Sequence, residues 1–269
     1  MTADHVLEAR QVTFGYGGAP VVHDLDLVIP GGRITVIIGA NASGKSTLLR
    51  GLARLLRPTA GEVLLDGVDI HRSRSGDVAK TVGMLPQSPV APDGITVGDL
   101  VGRGRHPHQG WFRRWNAADT EAVDSALRAT DLTDLAGWQV SELSGGQRQR
   151  AWIAMALAQQ TDILLLDEPT TFLDINYQIE VLDLLVDLNR ERGTTIVLVL
   201  HELNLAARYA DLLVAMSHGR VLAAGSPADV VTEEIVARVF ALDCEIIPDP
   251  RTGSPLVVPI GRHTRGADA

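Results

Sequence analysis

Apolar and polar positions follow one another along this chain in two rhythms. Three short runs, ITVIIG (Ile34 to Gly39), DILLLDE (Asp162 to Glu168) and TTIVLVLHE (Thr194 to Glu202), are apolar at nearly every position and end in polar or glycine residues. They read as strands covered on both faces. Longer stretches of helical period lie between them. KSTLLRGLARLLRP puts Leu48, Leu52 and Leu55 on one face and predicts an amphipathic helix from Lys45 that stops before Pro58. A second helix is predicted from Asp174, its cap, through a buried stripe of Ile175, Ile179, Leu182 and Leu185 to Gly193. Strands and helices alternating in this way predict an α/β domain with a mainly parallel sheet. Ligands of such sheets bind beyond the carboxyl ends of the strands, so Lys45, Asp167, Glu168 and His201 are expected to converge there.

Other segments depart from the alternation. VTFGYGG and VVHDLDLVIPGG read as short strands joined by glycine turns and predict an antiparallel β flank. Strand signals vanish between Gln87 and Ser141, where NAADTEAVDSALRATDL reads as a helix capped at Asn116 and predicts an inserted α-helical subdomain. LLVAMSHGRVLAAG predicts a hairpin, and the polar GRHTRGADA at the end is expected to fray. The expected organisation of residues 1–269 is one domain: a core from 1–87 and 160–245, a helical part at 88–159, and a C-terminal extension and tail at 246–269.

Composition narrows the function. A chain of 269 residues with 45% hydrophobic content can bury a sizeable core. Its net charge of −9 argues against a general nucleic-acid binder, which needs clustered excess Lys and Arg. The single cysteine, Cys244, excludes an intrachain disulfide and a Cys-rich zinc site, and MTADHVLEAR lacks the apolar centre of a signal peptide, so a cytosolic chain is expected. No uninterrupted apolar segment reaches the ~18 residues that span a bilayer, so a membrane role has to come through a partner.

The candidate chemistry begins with GANASGKST: Gly39, Ala40, Asn41, Ala42, Ser43, Gly44, Lys45, Ser46 and Thr47. It fits G-x-x-x-x-G-K-S/T between a predicted strand and a predicted helix, the setting of a phosphate-binding loop. Gly39 and Gly44 let the backbone turn its N–H groups toward phosphate oxygens, Lys45 adds a positive charge, and Ser46 can ligate Mg²⁺. Asp167 is placed to complete the Mg²⁺ shell, and Glu168 to take a proton from water attacking the γ-phosphate. ELSGGQRQRAWIAMALAQQ supplies a second glycine motif, in which Ser144, Gly145, Gly146 and Gln147 open a helix whose N–H groups and dipole favour an anion.

With the phosphate loop, LSGGQ resembles the signature of ATP-binding cassette (ABC) ATPases, and the resemblance extends over nearly the whole chain. It implies the ABC-type phosphate-loop fold, ATP and Mg²⁺ as ligands, and ATP hydrolysis. Residue by residue it implies Tyr16 stacking on adenine, Gln87 as the Q-loop glutamine and a metal ligand, and Asp167 and Glu168 as the Walker B pair. Asp174 matches the D-loop aspartate and His201 the switch histidine. Ala40 and Ala42 depart from the Pro and Gly of many members. In this family LSGGQ of one subunit covers the nucleotide of another, which implies a head-to-tail dimer with two ATP. One cassette without a membrane span further implies an importer subunit at the cytoplasmic face, working with permease subunits and, indirectly, an external substrate-binding protein.

DLVGRGRHPHQGWFRRW and DEPTTFLDI resemble the branch serving ferric siderophores, with haem and vitamin B12 importers as close relatives and a soluble ABC ATPase as the competing class. A GTPase is disfavoured because no N-K-x-D motif is present. The run Arg103, Arg105, His106, His108, Arg113 and Arg114, with Trp111, Phe112 and Trp115 among them, reads either as a solvated face or as a surface near the permease or anionic headgroups. His106 and His108, with Pro107 between them and no nearby carboxylate, are poor zinc ligands.

Overall fold

A computed structural model describes residues 5–109 and 115–261, so Trp111, Phe112, Arg113, Arg114 and most of the polar tail lie outside the described residues. Along the chain, β1 (Leu7–Phe14) and β2 (Val22–Ile29) form a hairpin, β3 (Ile34–Gly39) runs into α1 (Lys45–Leu52), and β4 (Ala60–Leu65) and β5 (Val68–Asp69) return toward the hairpin. Next come α2 (Ser75–Thr81), β6 (Val82–Leu85), α3 (Val97–Gly102), α4 (Ala117–Ala129) and α5 (Gly145–Ala158). After these, β7 (Ile163–Asp167), α6 (Ile175–Arg192), β8 (Thr195–Val199), α7 (Leu203–Tyr209) and the β9 (Leu212–Ser217)–β10 (Arg220–Gly225) hairpin complete the main sheet. The chain ends in α8 (Pro227–Val230), α9 (Glu233–Phe240) and a hairpin of β11 (Cys244–Pro248) and β12 (Pro255–Pro259).

Among the described residues the main sheet has the order β10-β9-β3-β8-β7-β6. Every neighbour pair is parallel except β9 with β10. The strands β3, β7 and β8 are buried at every position, which explains their unbroken apolar sequences. A second sheet, β2-β1-β4-β5, is antiparallel throughout. Its β2 alternates between buried and exposed positions, as a strand with one wet face does. In the main sheet Ile37 and Asp167 are both level with Val199, so the ends of three strands lie side by side. Gly39, Glu168 and His201 therefore leave the sheet at one edge.

Local chemistry sets the helix boundaries. Asn116 caps α4 by accepting from Ala118 and Asp119 N–H, and Asp119 reaches back to the Asn116 N–H. Asp174 caps α6, and Gly193 ends it at φ +67, in the left-handed region that glycine occupies without strain. Two helical expectations need correction. α1 ends at Leu52: Arg54 turns left-handed at φ +63, the N–H groups of Leu55 and Leu56 both return to Arg50 O, and Leu55 is exposed. In α6 the buried stripe is Val181, Leu182 and Leu185; Ile179 is half-buried, and Ile175, in the first turn ahead of the covered face, is 77% exposed.

Arg105 is a third correction. It belongs to neither a solvated nor a lipid-facing surface, because it is buried with its Nε 3.0 Å from Asp119 Oδ1 and its Nη1 donating to Ala158 O and Gln160 Oε1. The pair ties the segment after α3 to the caps of α4 and α5. Arg105→Ala would remove a buried guanidinium from Asp119, Ala158 O and Gln160 Oε1 and cost about 3 kcal/mol of stability, the usual scale for breaking a buried pair from one side. Urea unfolding measures it, and a loss within ~0.5 kcal/mol would place the pair among ordinary surface contacts.

Candidate functional site

The strand β3 delivers Gly39 to a place where nothing larger fits, since a Cβ there would lie 2.4 Å from Met216 O and 2.6 Å from Ser43 Oγ. Gly44, at φ +99, opens α1. Ala42 takes φ +61, a conformation that costs an alanine roughly 1–2 kcal/mol and a glycine nothing. The loop thus holds Ala42 in a left-handed conformation that a glycine would adopt without strain. Lys45 is buried in the first turn of α1, with Nζ donating to Gly39 O at 2.9 Å and Ala40 O at 3.0 Å. Burial pushes its pKa down, while the carboxylates of Glu168 and Asp167 oppose that.

Ser46 Oγ donates to Asp167 Oδ1 at 2.9 Å. Asp167 is fully buried at the end of β7, and burial raises its pKa against the lowering effect of the Ser46 hydrogen bond. Its Oδ2 is buried without a partner. An orphaned carboxylate oxygen beside a hydroxyl fits a hard divalent cation such as Mg²⁺, which would take both oxygens as ligands.

Glu168, at φ +54, turns its side chain away from the strand line while its N–H donates to Val199 O. Its carboxylate lies between two expected residues: Gln87 Nε2 donates to Oε2, and His201 Nε2 contacts Oε1. Thr171 Oγ1 donates to Oε2 at 3.3 Å. Asn41 to Thr47, Gln87, Glu168 and His201, with Val21, line one cleft of about 590 Å³. Tyr16 stands beside the loop, 57% exposed, its hydroxyl 3.4 Å from Thr47 Oγ1 and accepting from Arg50.

The second motif stands apart. Ser144 caps α5 by accepting from Gln147 N–H, and the Gln147 side chain accepts from Ser144 N–H at 2.9 Å. Ser144 and Gly145 are exposed, and none of Ser144, Gly145, Gly146 or Gln147 lines the cleft. Asp174 is likewise exposed, accepting from Tyr177 N–H. Next to it Phe172 and Ile175 are apolar and strongly exposed.

Sequence reading missed Thr171 and Gln149. Gln149 is buried and donates to Pro169 O at 2.9 Å, linking α5 to the loop after Glu168. A signal for Gln149 was present: it lies four residues before the buried Ile153, on the same helix face, so a polar side chain there needs an internal partner. Nothing in the sequence marks Thr171.

A parallel sheet that ends in a lysine-bearing glycine loop, a buried aspartate and a tethered glutamate defines a phosphate-loop ATPase. This chain belongs to the ABC transporter family: the family described as ABC transporter matches residues 22–171. It is 54% identical over 256 residues to the ferric enterobactin transport ATP-binding protein FepC of Escherichia coli (strain K12), covering 95% of this chain and 94% of that one. It is 48% identical over 250 residues to the iron(3+)-hydroxamate import ATP-binding protein FhuC of Bacillus subtilis (strain 168), covering 93% of each. Among solved structures it resembles an inward-facing ABC transporter assigned to the metal-chelate type (TM-score 0.82, 28% identity, 97% of this chain and 99% of that one). It also resembles a bacterial ABC transporter cassette solved as a dimer (TM-score 0.74, 28% identity, 82% of this chain and 98% of that one).

Proposed function

We propose that this chain is the ATP-hydrolysing subunit of an importer for ferric siderophores. The observation that carries the reading is the Glu168 carboxylate, held between Gln87 and His201 at the mouth of the phosphate loop. Relatives named for ferric enterobactin and iron(3+)-hydroxamate support the cargo class. Loop N–H groups and Lys45 take the phosphates, Lys45 exchanging its two carbonyl partners for phosphate oxygens. Ser46, Asp167 and the carbonyl oxygen of Gln87 would hold Mg²⁺, which neutralises charge on the phosphates when bound. Glu168 accepts a proton from water as the water oxygen attacks the γ-phosphorus, and the bond to the bridging oxygen breaks to leave ADP and phosphate. His201 orients that carboxylate, and Tyr16 offers its exposed ring to adenine.

A second copy completes the site. Ser144, Gly145, Gly146 and Gln147 do not line their own cleft, and on this reading they serve the ATP of a partner in a head-to-tail dimer with two ATP. The exposed Phe172 and Ile175 beside Asp174 suit an interface, and a similar cassette is dimeric.

The permease docks in a groove of about 330 Å³ between Pro89–Asp93, just after Gln87, and Val140, Ser141, Arg148 and Trp152. Val90 stands 89% exposed at its rim. This assigns residues 88–159 the coupling role and 1–87 with 160–245 the nucleotide. No helix among the described residues is long and apolar enough to cross a membrane. As an import ATPase subunit the chain would sit at the cytoplasmic face through the permease and meet the external binding protein only indirectly. Deleting the gene should impair growth on ferric siderophores while zinc, haem and B12 uptake continue. Unchanged siderophore uptake with loss of haem or B12 uptake would reassign the cargo, and no transport defect would favour a soluble ABC ATPase.

A further inference from the structure

His201 is followed almost at once by α7, which begins at Leu203, and the outer face of that short helix is taken up by the C-terminal hairpin. Asn204 Oδ1 accepts from Val257 N–H at 2.7 Å and its Nδ2 donates to Val257 O at 3.3 Å. One side-chain amide thus meets the edge of β12 as a neighbouring strand's peptide group would. One helical turn later Arg208 Nη2 donates to Asp249 Oδ2 at 2.6 Å. The other oxygen of Asp249 accepts from the N–H groups of Arg251 and Thr252, so the same carboxylate shapes the hairpin turn and grips the helix. Arg208 and these N–H groups hold its pKa at about 2, so the grip is fully ionised at neutral pH.

The opposite face of α7 rests on the core, with Leu203, Leu205 and Tyr209 packed against it and Tyr209 O–H donating to Asp183 Oδ1 of α6 at 2.8 Å. Ala206 and Ala207 are buried between these side chains and bring the helix close to the core. The His201 side chain is 41% exposed, so packing alone does not set its place. The backbone does: it runs from β8, held in mid-sheet, to α7, which is held on its inner side by core packing and the Tyr209–Asp183 bond and on its outer side by Asn204 and Arg208.

We propose that the β11–β12 hairpin is a clamp that positions His201 against Glu168, with Asn204 and Arg208 as the positioning residues through which it acts. This rests on the reading that His201 serves ATP hydrolysis. A displacement of about 1 Å at a reacting group can cost ~10²-fold in rate, so a small roll of α7 has a measurable effect.

Two near-isosteric variants test it in the full chain. Asn204→Asp keeps the acceptor for Val257 N–H but sets an oxygen against Val257 O. Asp249→Asn keeps Oδ1 for the turn but can present N–H to the guanidinium. Each should lower kcat about tenfold, a fraction of that misplacement cost, with ATP affinity unchanged. Arg208→Lys, which keeps the charge, should retain most of the rate that Arg208→Met loses. In a His201→Ala background neither variant should lose more, because the residue being positioned is gone. Losses that multiply with His201→Ala, a fall in affinity instead of kcat, or parental rates in both variants would overturn the clamp while leaving the ATPase reading intact. A parental rate in His201→Ala itself would overturn both the clamp and the role of His201. Should Asp249→Asn fail to fold, Asn204→Ala is read in its place, since it removes the amide contact with Val257 without adding a charge.

Discussion

Replacing Glu168 with Gln is expected to slow ATP hydrolysis by ~10²–10⁴-fold, the cost of losing a positioned general base, while ATP binding survives. The amide keeps the side-chain shape and can still face Gln87, His201 and Thr171, all of which lie on the carboxylate. It cannot accept the proton from water. Uncleaved ATP should then hold two copies together, giving an ATP-dependent shift from monomer to dimer on gel filtration. Adding Ser144→Arg should abolish that shift, because the exposed cap of α5 is where a partner's phosphate would meet the helix dipole, and a bulky cation opposes both. Hydrolysis at the parental rate in Glu168→Gln would remove Glu168 from the mechanism. A dimer that persists in the double variant would count against Ser144 acting across the interface.

The parallel sheet was legible in the sequence because three of its central strands are buried on both faces and so are apolar at every position, a pattern that survives without knowledge of neighbours. Convergence of Lys45, Asp167, Glu168 and His201 followed from the same fact, since residues after such strands share an edge. Helix ends were less legible. Leu55 continues the period of Leu48 and Leu52, yet the chain must turn back to β4, and the left-handed turn at Arg54 overrides periodicity. Ile175 fits the stripe of α6 by spacing, but spacing does not reveal where a helix leaves the core, and the exposed Ile175 lies beside Phe172 on a surface suited to a second copy. Arg105 was unreadable for a different reason. Its partner, Asp119, is fourteen positions away, and a charged run carries no mark of the one member that turns inward. The contacts of Asn204 and Arg208 with the hairpin are longer-range still.

Lys45→Ala is expected to weaken ATP binding about 10³-fold, since a lysine making two charge-assisted hydrogen bonds to phosphate contributes roughly 2 kcal/mol through each. The effect on the empty protein should be different in kind. Lys45 is buried and its pKa is pushed down by burial, so its charge is held there at a cost that Gly39 O, Ala40 O and the carboxylates of Glu168 and Asp167 only partly offset. Removing that charge should leave the nucleotide-free melting temperature close to the parent's. Removing it should also abolish the stabilisation that nucleotide confers, which for a parent chain at a hundred times its Kd is about 2.7 kcal/mol. Melting curves with and without ATP separate the two effects, and titration calorimetry gives the affinity. Parental affinity in Lys45→Ala would show that the loop N–H groups hold the phosphates unaided. A large fall in the nucleotide-free melting temperature would instead show that Lys45 serves chiefly to brace the carbonyls of Gly39 and Ala40.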